Sequence, residues 1–190
     1  MNILKGGKNM PDLPERKPTR LKNYDYSSAG AYFITICTEG RKKILSEIYV
    51  GTGVLDGPRI NLTDYGKIAE KYIKNINAFY DNLSVINYII MPNHIHLLVE
   101  IKKTEKCMKN ICGQRNKSEE NGPSGTPVPT NSAIARFVST FKRFCNKEYG
   151  KNIWQYRSND HIIRNETEYE KIWNYIEHNA DKWEEDCFYC

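Results

Sequence analysis

His94 and His96 stand one residue apart in the run Met91-Pro92-Asn93-His94-Ile95-His96-Leu97-Leu98-Val99-Glu100. Imidazole is the side chain most often recruited for divalent metals and for proton transfer near neutral pH. In an extended chain alternate side chains share a face, so the two histidines point one way while Ile95 and Leu97 point the other. Separated by roughly 6 to 7 Å along the strand, the rings can converge on one ion if a third ligand comes from elsewhere. The same spacing suits two polar residues on the wet face of a sheet, and the pattern alone leaves both readings open.

A metal needs a further ligand and something to activate. Tyr175 and Asn179 lie four residues apart in a helical pattern, so they project from one helix face, one above the other. An amide oxygen is a hard ligand that suits magnesium or manganese beside two imidazoles. A phenol, with a pKa of about 10, can attack a phosphodiester that a divalent ion holds and neutralises. The other tyrosines on expected helices have apolar residues four positions on: Tyr65 has Ala69, Tyr72 has Ile76 and Tyr169 has Trp173. Tyr156 has Asp160, in a segment without helical periodicity. The plainer reading makes Tyr175 an amphipathic core residue and Asn179 a helix terminus.

The elements that must position these residues follow from periodicity. Ala31 to Cys37, rich in β-branched and aromatic residues, predicts a first core strand. Ile44 to Val50 and Val54 to Ile60, either side of Gly51-Thr52-Gly53, predict a peripheral extended pair. Thr63 is an expected N-cap for a helix to about Tyr80, with Tyr65, Ile68, Tyr72, Ile73, Ile76 and Phe79 on one face. Leu83 to Ile90 predicts a strand, Pro92-Asn93 a turn, and the histidine strand runs to about Ile101. Ile134, Phe137, Phe141, Phe144 and Cys145 mark a second helix. A last helix, capped by Asn165 with Glu168 at the capping-box position, runs to about Asn179. Strand, helix, strand, strand implies an α+β fold: an antiparallel sheet with a helix on one face.

Composition bounds the class. A chain of 190 residues is about one domain and can build a real core. No apolar run approaches the roughly 20 residues of a membrane helix, and residues 1–20 lack a signal-peptide pattern, which predicts a soluble cytoplasmic protein. We read residues 1–20 as a basic tail, 21–183 as the domain, about 102–132 as a mobile Gly- and Pro-rich loop, and 184–190 as a C-terminal tail. Scattered cysteines imply reduced thiols, and the lone Cys187-Phe188-Tyr189-Cys190 pair is a weak zinc signal. Between Arg136 and Arg157 six bases face the single acid Glu148, whereas Glu166 to Asp186 carries eight acids against two lysines. A polyanion held on one side, or simply solvated faces, explains this asymmetry. Arg136, Lys142, Arg143, Lys147, Arg157 and Arg164 are the candidates for phosphate contact.

The run His94-Ile95-His96 and the late Tyr175-Ile176-Glu177-His178-Asn179 together resemble the single-tyrosine HUH transposases of small bacterial insertion sequences. Tyr24 to Cys37, Met91 to His96, Phe137 to Lys142 and Asp160-His161-Ile162-Ile163-Arg164-Asn165 are similar to their domesticated branch, the REP-associated tyrosine transposases. The similarity spans roughly Leu21 to Trp183. It implies a ferredoxin-like antiparallel sheet with flanking helices, often dimeric, acting on single-stranded DNA that carries a hairpin, in the nucleoid. By the same resemblance His94, His96 and Asn179 hold a divalent metal, Mg or Mn. Tyr175 is then the nucleophile that takes the 5′ phosphate and frees a 3′ hydroxyl. Ser158-Asn159 stand where relatives commonly carry two aromatics, and Ala180 where they carry proline. Those departures bear on the cleaved sequence rather than on the ligands. A repeat-hairpin binding protein with weak or lost cleavage is the alternative. A replication or conjugation initiator fits less well, since Tyr175 has no tyrosine beside it.

Overall fold

The structure is a computed structural model that describes residues 24–49, 57–103 and 132–189. The expected basic tail, most of the expected 102–132 loop and Cys190 lie outside the described residues. Among the described residues six strands and three α-helices follow in order: β1 (Gly30–Cys37), β2 (Ser46–Tyr49), β3 (Arg59–Leu62), α1 (Asp64–Lys74), β4 (Leu83–Ile90), β5 (His94–Ile101), α2 (Ala133–Tyr149), β6 (Asn159–Ile163) and α3 (Glu166–Glu177). β4, β5, β1 and β6 form one sheet in that spatial order, every neighbour antiparallel, and β2 pairs with β3 in a separate ribbon. Setting the ribbon and α3 aside, the chain runs βαββαβ, the ferredoxin-like order.

The sheet is covered on both faces, where the sequence predicted a helix on one. Tyr32, Ile34 and Ile36 of β1 and Ile95, Leu97 and Val99 of β5 face α1 and α2, meeting Ile73, Phe137 and Phe141. The alternate residues face α3: Phe33 of β1 and Leu98 of β5 pack with Ile176, Ile172 and Trp173. Strands with both faces covered read as apolar runs rather than alternating ones. The α1 and α2 layer is tied further by Lys71 Nζ and Tyr72 Oη, each 2.8 Å from a Glu148 oxygen.

Local signals set the helix starts. Thr63 Oγ1 accepts from Gly66 N at 3.2 Å, and Asn165 Oδ1 accepts from Glu168 N at 2.8 Å, so both expected caps are present. The reciprocal arm of the second cap differs: Glu168 Oε2 accepts from Arg164 N rather than from Asn165 N. α1 ends at Lys74, short of the expected Tyr80, because Asn75 leaves helical geometry and the chain tightens into a 3-10 turn at Ile76–Ala78. β3 spans Arg59–Leu62, and the expected Gly51-Thr52-Gly53 connection and the start of the expected Val54 to Ile60 strand lie outside the described residues. α2 ends on Gly150, whose φ of 71° is the left-handed conformation that closes a helix.

Candidate metal and nucleophile site

β5 carries His94 and His96 on the face covered by α3, and both are buried. The wet-face reading is therefore overturned: α3 and the chain after it exclude water from these rings. In the turn before β5, the Asn93 side chain donates from Nδ2 to the Phe188 carbonyl at 2.7 Å. That fixes the amide, so its Oδ1, 2.8 Å from His94 Nδ1, accepts a hydrogen bond from the ring N–H. His94 Nε2 then keeps its lone pair. Across the strand pair, Thr35 Oγ1 lies 2.9 Å from His96 Nδ1 and holds the orientation of the second ring.

The two Nε2 atoms are 3.0 Å apart. Two ligands each about 2.1 Å from an octahedral ion, at right angles, lie about 3 Å apart, so the spacing fits a shared divalent metal. Burial pushes His94 down to about 4, and burial together with His94 holds His96 well below its ordinary value. Both rings are thus neutral, the form that binds metals. Asp186 supplies a carboxylate oxygen, and the three ligand atoms of His94, His96 and Asp186 all lie within 4.8 Å of one another. This group could hold a metal ion. Asn179 adds a second sign: its Oδ1 is buried without a hydrogen-bond partner, while its Nδ2 donates to Asp186 Oδ2 at 3.1 Å. A buried carbonyl oxygen left unpaired costs free energy unless something binds it, and a cation is a fitting occupant.

α3 delivers Tyr175 to the same place. Its hydroxyl is 3.3 Å from His96 Nε2 and 3.3 Å from Asp186 Oδ2, to which it donates. The ring packs edge-on against Phe33, which in turn stacks on His96. Burial, then the Asp186 charge, pushes the phenol up to about 12. Tyr175 is nevertheless 41% exposed. It opens on a cleft of about 650 Å³ lined by Lys171, Asn174, His178, Lys182 and Asp186. Asn179 sits just past the end of α3, which stops at Glu177, so the pair spans a helix and its exit rather than one continuous helix.

Residues 184–189, expected as a tail, pack on the site. A 3-10 segment, Ala180–Glu185, turns the chain back. Phe188 then lies over His94 with ring centroids 4.6 Å apart, and Arg41 sits over Phe188 at 5.1 Å while donating to the Cys187 carbonyl. Asp186, Phe188, Asn93 and Thr35 were not singled out from sequence. Only Asn93 carried a local signal, its place beside His94.

The candidate phosphate contacts do not gather around the histidines. Arg136, Arg143 and Lys147 form an exposed stripe on α2, which covers the opposite face of the sheet. Lys142 turns inward: its Nζ donates to the carbonyls of Gln155, Tyr156 and Arg157 at 2.8, 3.3 and 3.5 Å. Burial pushes it down to about 8. Arg157 and Arg164 are exposed at either end of β6. Cys37, Cys145 and Cys187 are free thiols, and among the described residues no helix is long and apolar enough to cross a membrane.

No family model matches the chain. An uncharacterized protein of Haemophilus influenzae is 31% identical over 178 residues, covering 93% of this chain and 94% of that one. Among solved structures, the REP-associated tyrosine transposase bound to a REP hairpin superposes with a TM-score of 0.56 at 17% identity, over 86% of this chain and 73% of that chain. The chain belongs to one family with the Haemophilus influenzae protein and carries the fold of the tyrosine transposases.

Proposed function

We propose that the protein is a metal-dependent, transposase-like strand transferase that binds hairpin-bearing single-stranded DNA, cleaves it through Tyr175 and rejoins it. The observation that carries this reading is the meeting of the Tyr175 hydroxyl with the His94 and His96 Nε2 pair, 79 residues apart in sequence at the Tyr175 to His96 contact. The transposase with the shared fold was solved on a hairpin DNA, which supports a DNA partner of that kind here.

His94, His96 and Asn179, with Asp186, would hold a magnesium or manganese ion, which when bound withdraws charge from a phosphodiester. Phe33 and His96 hold the Tyr175 ring so that its hydroxyl faces the cleft. Its oxygen forms a bond to phosphorus as the bond to the 3′ oxygen breaks, with net transfer of the phenol proton to the leaving oxygen. The 5′-phosphotyrosine conserves the energy of the broken linkage, so attack by a 3′ hydroxyl reverses the step. Arg157 and Arg164 flank β6 on the sheet that carries the site, and Arg136, Arg143 and Lys147 offer phosphate contacts to DNA that reaches around to α2. Action in the nucleoid and as a homodimer completes the proposal.

The test incubates the protein with single-stranded DNA from the gene's own flanks and manganese, then looks for a covalent protein–DNA adduct on a denaturing gel. Wild type is expected to form it and Tyr175→Phe is not. An adduct that survives in the variant moves the nucleophile elsewhere. Tight hairpin binding with no adduct supports a repeat-hairpin binding protein that has lost cleavage.

A further inference from the structure

Between Trp154 and β6 the chain departs from regular pairing. Thr35 pairs with Asn159 and Thr38 bridges to Trp154, so two residues on the β1 side face four on the other. The surplus bulges outward at the sheet edge. It is not a slack loop. Trp154 is buried at its base, Gln155 N donates to the Cys37 carbonyl at 2.9 Å, and the Lys142 ammonium gathers the three successive carbonyls of residues 155 to 157.

On this pinned bulge Tyr156 is 96% exposed. Its ring and hydroxyl make no hydrogen bond or ring contact with a described side chain, although an aromatic of this size stabilises a fold mainly by being buried. Arg157 beside it is exposed as well. The bulge neighbours Cys37, and Cys37 pairs with His94, so the backbone of Gln155 lies two strand spacings, about 10 Å, from that of His94. The bulge thus sits on the same sheet as the His94 and Tyr175 site, at its β6 edge.

We propose that Tyr156 is a stacking platform for an unpaired base of single-stranded DNA, with Arg157 placed for the adjoining phosphate. Every base has a π-face, so such a platform tolerates sequence, and its partner is a nucleic acid with unstacked bases rather than a duplex. The backbone clamp from Lys142 fixes the main chain that carries the ring before DNA arrives, which lowers the ordering cost of binding. Tyr156 is a positioning residue: it holds the strand and touches no reacting atom. The inference rests on the single-stranded DNA reading above and adds a contact to it.

The test measures binding of single-stranded oligothymidine and of its duplex with oligoadenine, for wild type, Tyr156→Ala and Tyr156→Phe. A second probe, an oligothymidine carrying one 2-aminopurine, reports stacking by fluorescence quenching. Tyr156→Ala is expected to weaken single-strand binding on the order of tenfold, to relieve the quenching and to leave duplex binding unchanged, whereas Tyr156→Phe behaves as wild type. Equal affinity of Tyr156→Ala and wild type for oligothymidine overturns the inference, as does an equal loss on single strand and duplex. Either result, obtained while wild type still forms the Tyr175 adduct, leaves the strand-transferase reading standing. A wild type that binds no oligothymidine overturns the inference too, and if it also forms no adduct the strand-transferase reading falls with it.

Discussion

Asn93 holds His94 by one amide oxygen, 2.8 Å from the ring Nδ1, and is itself held by the Phe188 carbonyl at 2.7 Å. The C-terminal segment thereby decides which way the Asn93 amide faces, and the amide decides which nitrogen of His94 keeps its lone pair. Thr35 orients the His96 ring from the neighbouring strand.

Removing either support should leave the ligands present but poorly oriented. Asn93→Ala and Thr35→Val are each expected to weaken manganese binding by roughly 10- to 100-fold, the usual cost of losing a group that orients a ligating histidine. Titration of manganese followed by electron paramagnetic resonance of the free ion measures this without DNA. Affinity equal to wild type would mean the rings are positioned by packing against Phe33 and Phe188 alone.

Lys142 should leave a mark on the pH dependence of stability. Its folded pKa of about 8 lies below the unfolded value of about 10.4, so between these pH values the unfolded chain binds the additional proton. Stability contributed by this group therefore rises as pH increases from 8 to 10.4, and its desolvation penalty is fully present below 8. Cys37 and Cys145, whose thiols burial raises, push the other way. The informative quantity is thus the difference between wild type and Lys142→Met in urea unfolding. Wild type should gain on the variant by on the order of 2 kcal/mol between pH 7 and 10; a flat difference would contradict the buried ammonium.

Gly66 in the first turn of α1 lies against the β1–β2 connection. A Cβ built there would stand 2.0 Å from the Leu45 carbonyl oxygen, an acceptor already engaged by the Thr63 backbone. Backbone cannot yield as a side-chain tip does, so Gly66→Ala should lower stability by about 1–3 kcal/mol despite alanine's better helix propensity. Chemical denaturation of the variant checks this, and unchanged stability would show that the helix start moves freely.

Much of the sheet was legible because its signals are local. β-branched and aromatic residues marked β1, the Leu83 to Ile90 and His94 to Ile101 runs marked a strand pair, and Thr63 and Asn165 marked two helix starts. Period-two alternation was also enough to place His94 and His96 on one face, since that follows from backbone geometry without any partner. The four-residue spacing put Tyr175 near Asn179 for the same reason.

What lay beyond the sequence was which surfaces meet. That α3 covers the histidine face, while the basic α2 covers the other, depends on the order of strands in the sheet, which no single segment carries. Asp186 and Phe188 looked like tail residues because nothing periodic marks them; their roles come from contacts with His94 and Asn93 more than ninety positions away. The turning inward of Lys142 belongs to the same class. Its charge is visible in the sequence, but its carbonyl partners exist only where the bulge before β6 folds against α2. Local propensity and periodicity act within a few residues and can be read along the chain, whereas burial and ligand geometry are set by long-range packing, which exists only once the chain has folded.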